Sequence, residues 1–247
     1  MKTDNKYLLL QVNDALFPIG GYSHSYGMET YIQKDLITDA QSAEKYIRSR
    51  LENSVLYGDL LTVRLAYEYS KAGKWEELKQ LEQMCEAAKI PSEIREASKK
   101  LGSRFFKTVQ QLSIDWDEQT MEETSVNAGG QVEKLNIWQK YILGNAPKKV
   151  HHTCVYGVFC AAAGIGVSDA ISHFLYAQTS AMVTNCVKSI PLSQTAGQKI
   201  LQSLFGVLSE MEAEVMTLDE DMLFASTPGF DIRCMQHEAL YSRIYMS

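Results

Sequence analysis

The chain has 247 residues, with 24 Lys and Arg against 30 Asp and Glu, a formal net charge of −6. Apolar residues make up 45 % and charged residues 22 %, which is globular composition and excludes a disordered chain. An acidic balance without a clustered basic face argues against general nucleic-acid binding. The length permits one large domain or two small ones, with a core that needs no disulfide or metal staple.

At the N-terminus the apolar run Tyr7–Leu10 is shorter than a signal-peptide core, so a cytoplasmic protein is expected. Next comes Leu16-Phe17-Pro18-Ile19-Gly20-Gly21-Tyr22-Ser23-His24-Ser25-Tyr26-Gly27-Met28-Glu29-Thr30-Tyr31, where a Pro and a Gly pair interrupt helical sequence. Gly-Gly permits close backbone approach, and Tyr22, Tyr26 and Tyr31 suit either an interface or a buried helical corner. Thr38-x-x-Gln41 reads as a capping box ahead of the stripe Ala43, Ile47, Leu51 and Val55. Further helices are expected around 59–72, 74–88, 92–113, 130–143, 150–164 and 168–189, with Asp115–Glu123 as a solvated acidic connection.

From Ala170 to Val187 no Lys, Arg, Asp or Glu occurs, but Ser172, His173, Gln178, Thr179, Ser180, Thr184 and Asn185 interrupt the run. A helix packed in protein fits that pattern better than a membrane span. Ser193 is placed to cap the stripe Gly197, Ile200, Leu201, Leu204, Leu208, Met211 and Val215. Thr217-x-x-Glu220 repeats the capping-box signal, and Asp231 is expected to cap a last helix after the Thr227-Pro228-Gly229 turn. Pro91, Pro147, Pro191 and Pro228 all fall between helices, and alternating strand patterns are nearly absent. The reading is all-α: one bundle of about ten helices spanning residues 1–247.

No P-loop, H-E-x-x-H, EF-hand or Rossmann fingerprint occurs. Gly21-Tyr22-Ser23-His24-Ser25 partly matches a nucleophile elbow, but it lacks the preceding strand and the glycine after the nucleophile. A serine hydrolase using Ser23 and His24 is the alternative that pattern offers. His151 and Cys154 stand at i, i+3 on a helix and could face one ion, although two ligands leave a metal site incomplete. The five cysteines, Cys85, Cys154, Cys160, Cys186 and Cys234, show no C-x-x-C pair and read as reduced, buried thiols. The aromatic, Arg-bearing end His237–Ser247 is a candidate docking element, since Tyr and Arg are enriched at hot spots.

Three ordered motifs carry a family resemblance. Leu16 to Glu29 is similar to the P-hydrophobic-GG-aromatic-S/T-x-S-x-G-L-E motif of the urease accessory protein family UreF. Pro191-Leu192-Ser193-Gln194-Thr195-Ala196-Gly197-Gln198 resembles its P-L-G-Q-T-x-G-Q motif, and His151 sits where the family has a His ahead of a small-residue helix. Pro228-Gly229-Phe230-Asp231-Ile232, His237-Glu238 and Tyr241-Ser242-Arg243-Ile244 match its C-terminal P-x-x-D-I…H-E…S-R-L-F pattern. Met28, Ser193 and Ile244-Tyr245 depart from it by replacing Leu, Gly and Leu-Phe.

The resemblance implies an all-α, non-enzymatic chaperone without cofactor or catalytic residues, acting in nickel insertion into apo-urease. It implies UreD (also called UreH), the GTPase UreG and the urease apoprotein as partners, a homodimer, and regulation of GTP hydrolysis. Direct nickel binding through His151 and Cys154 stands as an alternative. By the same resemblance Glu29 is the candidate for influencing UreG, while Tyr31 and Arg243 contribute to a surface read by UreG or UreD/UreH. The partner-binding set is Tyr22, Tyr26, Glu29, Tyr31, His237, Tyr241, Arg243, Ile244 and Tyr245, with 228–247 as docking segment. Tyr241 to Ser247 is expected to become ordered on partner binding.

Overall fold

The small-residue segment after His151 becomes the centre of the fold. In the computed structural model, which describes residues 5–117, 122–126, 132–145, 150–225 and 227–247, helix α8 (His152–Ala162) is buried from Thr153 to Ala162. Such a helix is apolar all round because it is surrounded all round. Its closest neighbours are α4 (Leu61–Lys71) and α6 (Ser92–Val109). Glycine sets both approaches. A Cβ on Gly157 would lie 2.5 Å from Val63 O of α4, and one on Gly102 of α6 would run into Val150 O and His151 C.

The expected all-α architecture is observed. Around the centre lie α1 (Asn5–Val12), α2 (Met28–Gln33), α3 (Ala40–Arg50), α5 (Trp75–Ala88), α7 (Ile137–Asn145), α9 (Val167–Ser189), α10 (Gln194–Ser203), α11 (Phe205–Val215) and α12 (Pro228–His237). An aromatic group of Phe105, Trp138 and Phe159 joins α6, α7 and α8, with Trp116 stacked on Trp138 at 5.4 Å. Truncating such a core ring costs about 3–5 kcal/mol. In α9 the uncharged stretch is buried on one side only, and Thr179 Oγ1 returns its hydrogen bond to Leu175 O at 2.8 Å. No helix among the described residues is long and apolar enough to cross a membrane.

Between α3 and α4 the rod continues as a π-helix, Leu51–Leu60. Its buried residues, Leu51, Val55, Leu56 and Leu60, recur at four or five, the wider spacing that i→i+5 hydrogen bonding requires. The period-four stripe in the sequence is divided between two geometries, with Ala43 and Ile47 in α3 and Leu51 and Val55 in the π segment.

Several local expectations shift. The cap of α3 is Asp39, whose carboxylate accepts from Ser42 N at 2.8 Å while Ser42 Oγ accepts from Asp39 N. Thr38 also donates its N–H to that Ser42 hydroxyl, so the box sits one residue later than expected. Ser193 caps α10 as expected, accepting from Ala196 N at 3.1 Å. The stripe it opens divides at Leu204 into α10 and α11. Thr217 Oγ1 donates back to Glu214 O instead of capping, and Asp219 opens a single 3-10 turn, Glu220–Met222. Asp231 lies inside the first turn of α12, which starts at Pro228 with Thr227 as its cap.

The helix expected at 130–143 begins only at Ile137, because β2 (Val132–Leu135) pairs antiparallel with β1 (Glu122–Val126). That ribbon replaces part of the anticipated acidic connection, whose residues 118–121 lie outside the described residues, as does Pro147.

Candidate partner-binding site

The two motif-bearing ends of the chain fold against each other. Gly20 (φ +83°) and Gly27 (φ +79°) supply the left-handed backbone that turns the chain out of the first segment and into α2. A Cβ on Gly27 would sit 2.6 Å from Cys234 Sγ of α12, whereas one on Gly21 would meet nothing within 4 Å. Only Gly20 of the expected Gly-Gly pair is therefore required by conformation. The left-handed Tyr26 (φ 53°) donates its N–H to Ser247 O at 2.9 Å, and Ser25 N–H and Oγ reach the same oxygen at 2.5 and 2.8 Å. His24 Nδ1 lies 2.8 Å from Ser247 Oγ, and Met246 N donates to Ser23 O at 2.8 Å.

Glu29, in the first turn of α2, is 4 % exposed and holds the returning segment. Its Oε1 accepts from Ile244 N at 2.7 Å, and its Oε2 accepts from Tyr245 N at 3.1 Å. His237, 0 % exposed at the end of α12, places Nε2 3.1 Å from Glu29 Oε2 and Nδ1 2.7 Å from Glu93 Oε2. Each ring nitrogen thus faces a carboxylate oxygen, one from α2 and one from α6. Arg243 completes the cluster, its Nη1 2.5 Å from Glu93 Oε1.

The neighbouring Glu238 serves the same junction. Its Oε1 accepts from Ser92 Oγ at 2.7 Å and lies 3.4 Å from Glu93 N, at the otherwise uncapped start of α6. An acidic group at a helix N-terminus is favoured by the dipole as well as by the free N–H groups. His237-Glu238 therefore ties the end of α12 to the start of α6.

The expected partner-binding residues separate into three kinds, exposed, buried and half-buried. Tyr22 (67 %) and Ile244 (73 %) are exposed, and Tyr241 is fully exposed. Glu29, His237 and Tyr245 are buried, so they act through the segment they hold and present no surface themselves. Tyr31 is half-buried between Tyr46, at 4.8 Å, and the Arg233 guanidinium, at 5.7 Å. Tyr26 is half-buried under Arg50, at 5.4 Å, and burial raises its phenol to about 12. The Tyr241–Ser247 end, expected to order on a partner, is already docked on its own chain. Main-chain donors at 25, 26, 244, 245 and 246 take part in fixing it.

Ser23 and His24 do not form a nucleophile–base pair. Ser23 Oγ donates to Gly20 O at 2.8 Å, while the His24 ring faces Ser247 and burial lowers it to about 4. His151 and Cys154 also diverge. The His151 ring lies between Ser98 Oγ and Glu86 Oε2, each at 3.1 Å, whereas Cys154 Sγ is 3.7 Å from Cys85 Sγ. Among the described residues no three His, Cys, Asp or Glu side chains converge as a metal site needs. Sequence reasoning missed Ser92 and Glu93, which there looked like an ordinary helix start after Pro91. Only their place opposite His237 reveals the role.

Comparison with known proteins places this geometry. The UreF family model matches residues 37–205. "Urease accessory protein UreF" of Haemophilus influenzae (strain ATCC 51907 / DSM 11121 / KW20 / Rd) is 34 % identical over 241 residues, covering 97 % of this chain and 94 % of its own. The protein of the same name from Geobacillus kaustophilus (strain HTA426) is 30 % identical over 247 residues, covering 99 % and 100 %. That of Streptococcus salivarius (strain 57.I) is 29 % identical over 244 residues, covering 97 % and 93 %. The matches to these relatives run through both motif-bearing ends as well as the helical centre, and the chain belongs to the UreF family.

Proposed function

We propose that the chain is a non-catalytic accessory protein of urease maturation, a scaffold that brings UreD/UreH and the GTPase UreG to the urease apoprotein for nickel insertion. In this reading it also regulates the GTPase step, works in the cytoplasm and pairs with a second copy of itself. Family membership supports the maturation role. One structural observation supports the scaffold: Tyr22, Tyr241 and Ile244 stand exposed along a junction whose own polar groups are paired inside the chain. Exposed aromatic and aliphatic side chains on a backbone already fixed are what a partner reads with less ordering cost.

Size-exclusion chromatography with light scattering tests this, using the chain alone, then with UreD/UreH, then with UreG and nucleotide. Wild type is expected to co-elute with its partners, and a Tyr22→Ala/Tyr241→Ala/Ile244→Ala variant is expected to elute alone while keeping its melting temperature. Co-elution unchanged in that variant moves the contact surface away from the junction. A wild type that binds neither partner removes the scaffold reading.

A further inference from the structure

Beneath the junction, walled by the π segment, α6, α8, α9 and α12, lies a cavity of about 240 Å³. Its wall includes Arg50, Asp59, Lys89, Thr153 and Asp231. Most buried charges in folded proteins are paired, and buried hydroxyls are hydrogen-bonded. Here two groups depart from that rule. Arg50 is 7 % exposed, yet no carboxylate of the described residues forms an ion pair with it. Its direct contacts are neutral: Nη1 donates to Tyr26 O at 3.0 Å, Cys234 lies beside it, and the Tyr26 and Phe230 rings lie 5.4 and 5.8 Å away, while Asp59 and Asp231 act on it through space without an ion pair. The Thr153 hydroxyl, buried in α8, has no hydrogen-bond partner among the described residues.

The other charges divide unevenly. Lys89 and Asp59 satisfy each other at 3.0 Å, leaving the ammonium two further donors. Asp231 shares the cavity with Arg50 but does not pair with it, and burial raises its carboxyl above the ordinary range. A guanidinium fork matches the oxygens of a planar or tetrahedral anion. A bare anion would be repelled by Asp231. An anion that keeps a hydroxyl would not, because its O–H can donate to that carboxylate. The volume accommodates an anion of four or five non-hydrogen atoms with accompanying water.

We propose that this cavity binds one small oxyanion that still carries a proton, of the hydrogen phosphate or bicarbonate class. Arg50 holds its ionised oxygens with help from Lys89, the Thr153 hydroxyl donates to an oxygen, and Asp231 accepts from the anion's O–H. Among the described residues no three His, Cys, Asp or Glu side chains converge there to hold a metal cation. Sulfate, fully ionised at neutral pH, has only acceptors to offer and meets Asp231 unfavourably.

The test is calorimetric titration of the purified chain alone with potassium phosphate, bicarbonate and sulfate at fixed ionic strength and neutral pH. Its outcome is therefore independent of whether the chain binds any urease-maturation partner. Saturable one-to-one binding of phosphate or of bicarbonate is expected, with sulfate at least about tenfold weaker, and the tighter of the two names the anion. Thr153→Val exchanges an unpartnered hydroxyl for a methyl, so it should fold as wild type and bind about tenfold more weakly. Asp231→Asn should let sulfate bind as well as phosphate. Wild type that binds neither probe, or binds sulfate equally, has a water-filled cavity or an unselective one, and the proposal falls. It falls as well if both variants, shown folded by circular dichroism, keep wild-type affinities.

Discussion

His237 and His151 are both buried imidazoles with a partner at each ring nitrogen, yet their surroundings differ by one carboxylate. His237 sits between Glu29 and Glu93 and bridges α2, α6 and α12. His151 has one carboxylate, Glu86, and one hydroxyl, Ser98, and burial with nearby Lys89 lowers it to about 4. The neutral ring can give one hydrogen bond and accept the other, which is what a hydroxyl on one side allows. Beside it, Glu82 is also buried, accepting from Tyr141 Oη at 2.7 Å and His151 N at 3.1 Å, and desolvation raises its carboxyl to about 7. The first cluster joins distant segments through two carboxylates on one ring, while the second fastens α5, α7 and the start of α8 around a neutral imidazole, with Glu86 also held by Lys99 at 2.9 Å. The same residue type thus bridges two carboxylates in one place and a carboxylate and a hydroxyl in the other.

The largest expected effect comes from breaking the bridge. His237→Ala leaves the buried Glu29 carboxylate facing the partly exposed Glu93 and should cost about 3 kcal/mol in urea denaturation. It should also expose the Tyr241–Ser247 segment to limited proteolysis. A loss below about 1 kcal/mol would show that water takes the place of the ring between the carboxylates.

The neutral cluster is distinguished by pH. Glu82 has a higher pKa folded than unfolded, so its contribution is full below 4.5 and is lost as pH rises through about 7. That amounts to about 3 kcal/mol. His24, His151 and His152 behave in the opposite sense, each lowered by burial from 6.5 to about 4. Their contribution is present above 6.5 and is lost as pH falls toward 4. Between 4.5 and 6.5 one rising glutamate opposes three falling histidines, so wild-type stability should drop on acidification. Glu82→Gln should make that drop steeper, as read from denaturation midpoints across pH. An unchanged pH profile would place the Glu82 carboxyl in contact with solvent.

The smallest effect is expected at the exposed rim of the bridge. Tyr241→Ala should change stability by less than about 0.5 kcal/mol, because its ring packs on nothing to lose. A larger loss would mean that the ring is held in solution by contacts beyond those described.

Much of the fold was legible in the sequence because helical periodicity and proline placement are local signals. The all-α class, the Ser193 cap and the packed character of α9 follow from residues within a few turns of each other. What failed was the competition between adjacent local options. Asp39 displaces Thr38 as the cap because its carboxylate reaches Ser42 N, and strand pairing takes Val132–Leu135 from a helix whose pattern looked continuous. The site was legible as two motif segments but not as one cluster. Glu93 lies 64 residues from Glu29 and 144 from His237, and no spacing rule relates them. Burial of Glu29 and His237 was equally invisible, since a polar residue carries no mark of whether it faces water or a partner inside.

The π segment has a consequence for how this chain tolerates changes in length. A wide turn is what an extra residue leaves behind when an α-helix absorbs it without a loop. Each residue advances a helix by about 100°, so deleting one from Leu51–Leu60 would rotate α4 relative to α3 by roughly that angle. The rotation would carry Val63 and Ala66 away from Gly157, the point of closest approach to the central helix, and bring bulkier side chains against it. Point substitutions along the solvent side of the rod should be absorbed easily. A frame-preserving loss of a single codon there should be as damaging as the loss of a core ring.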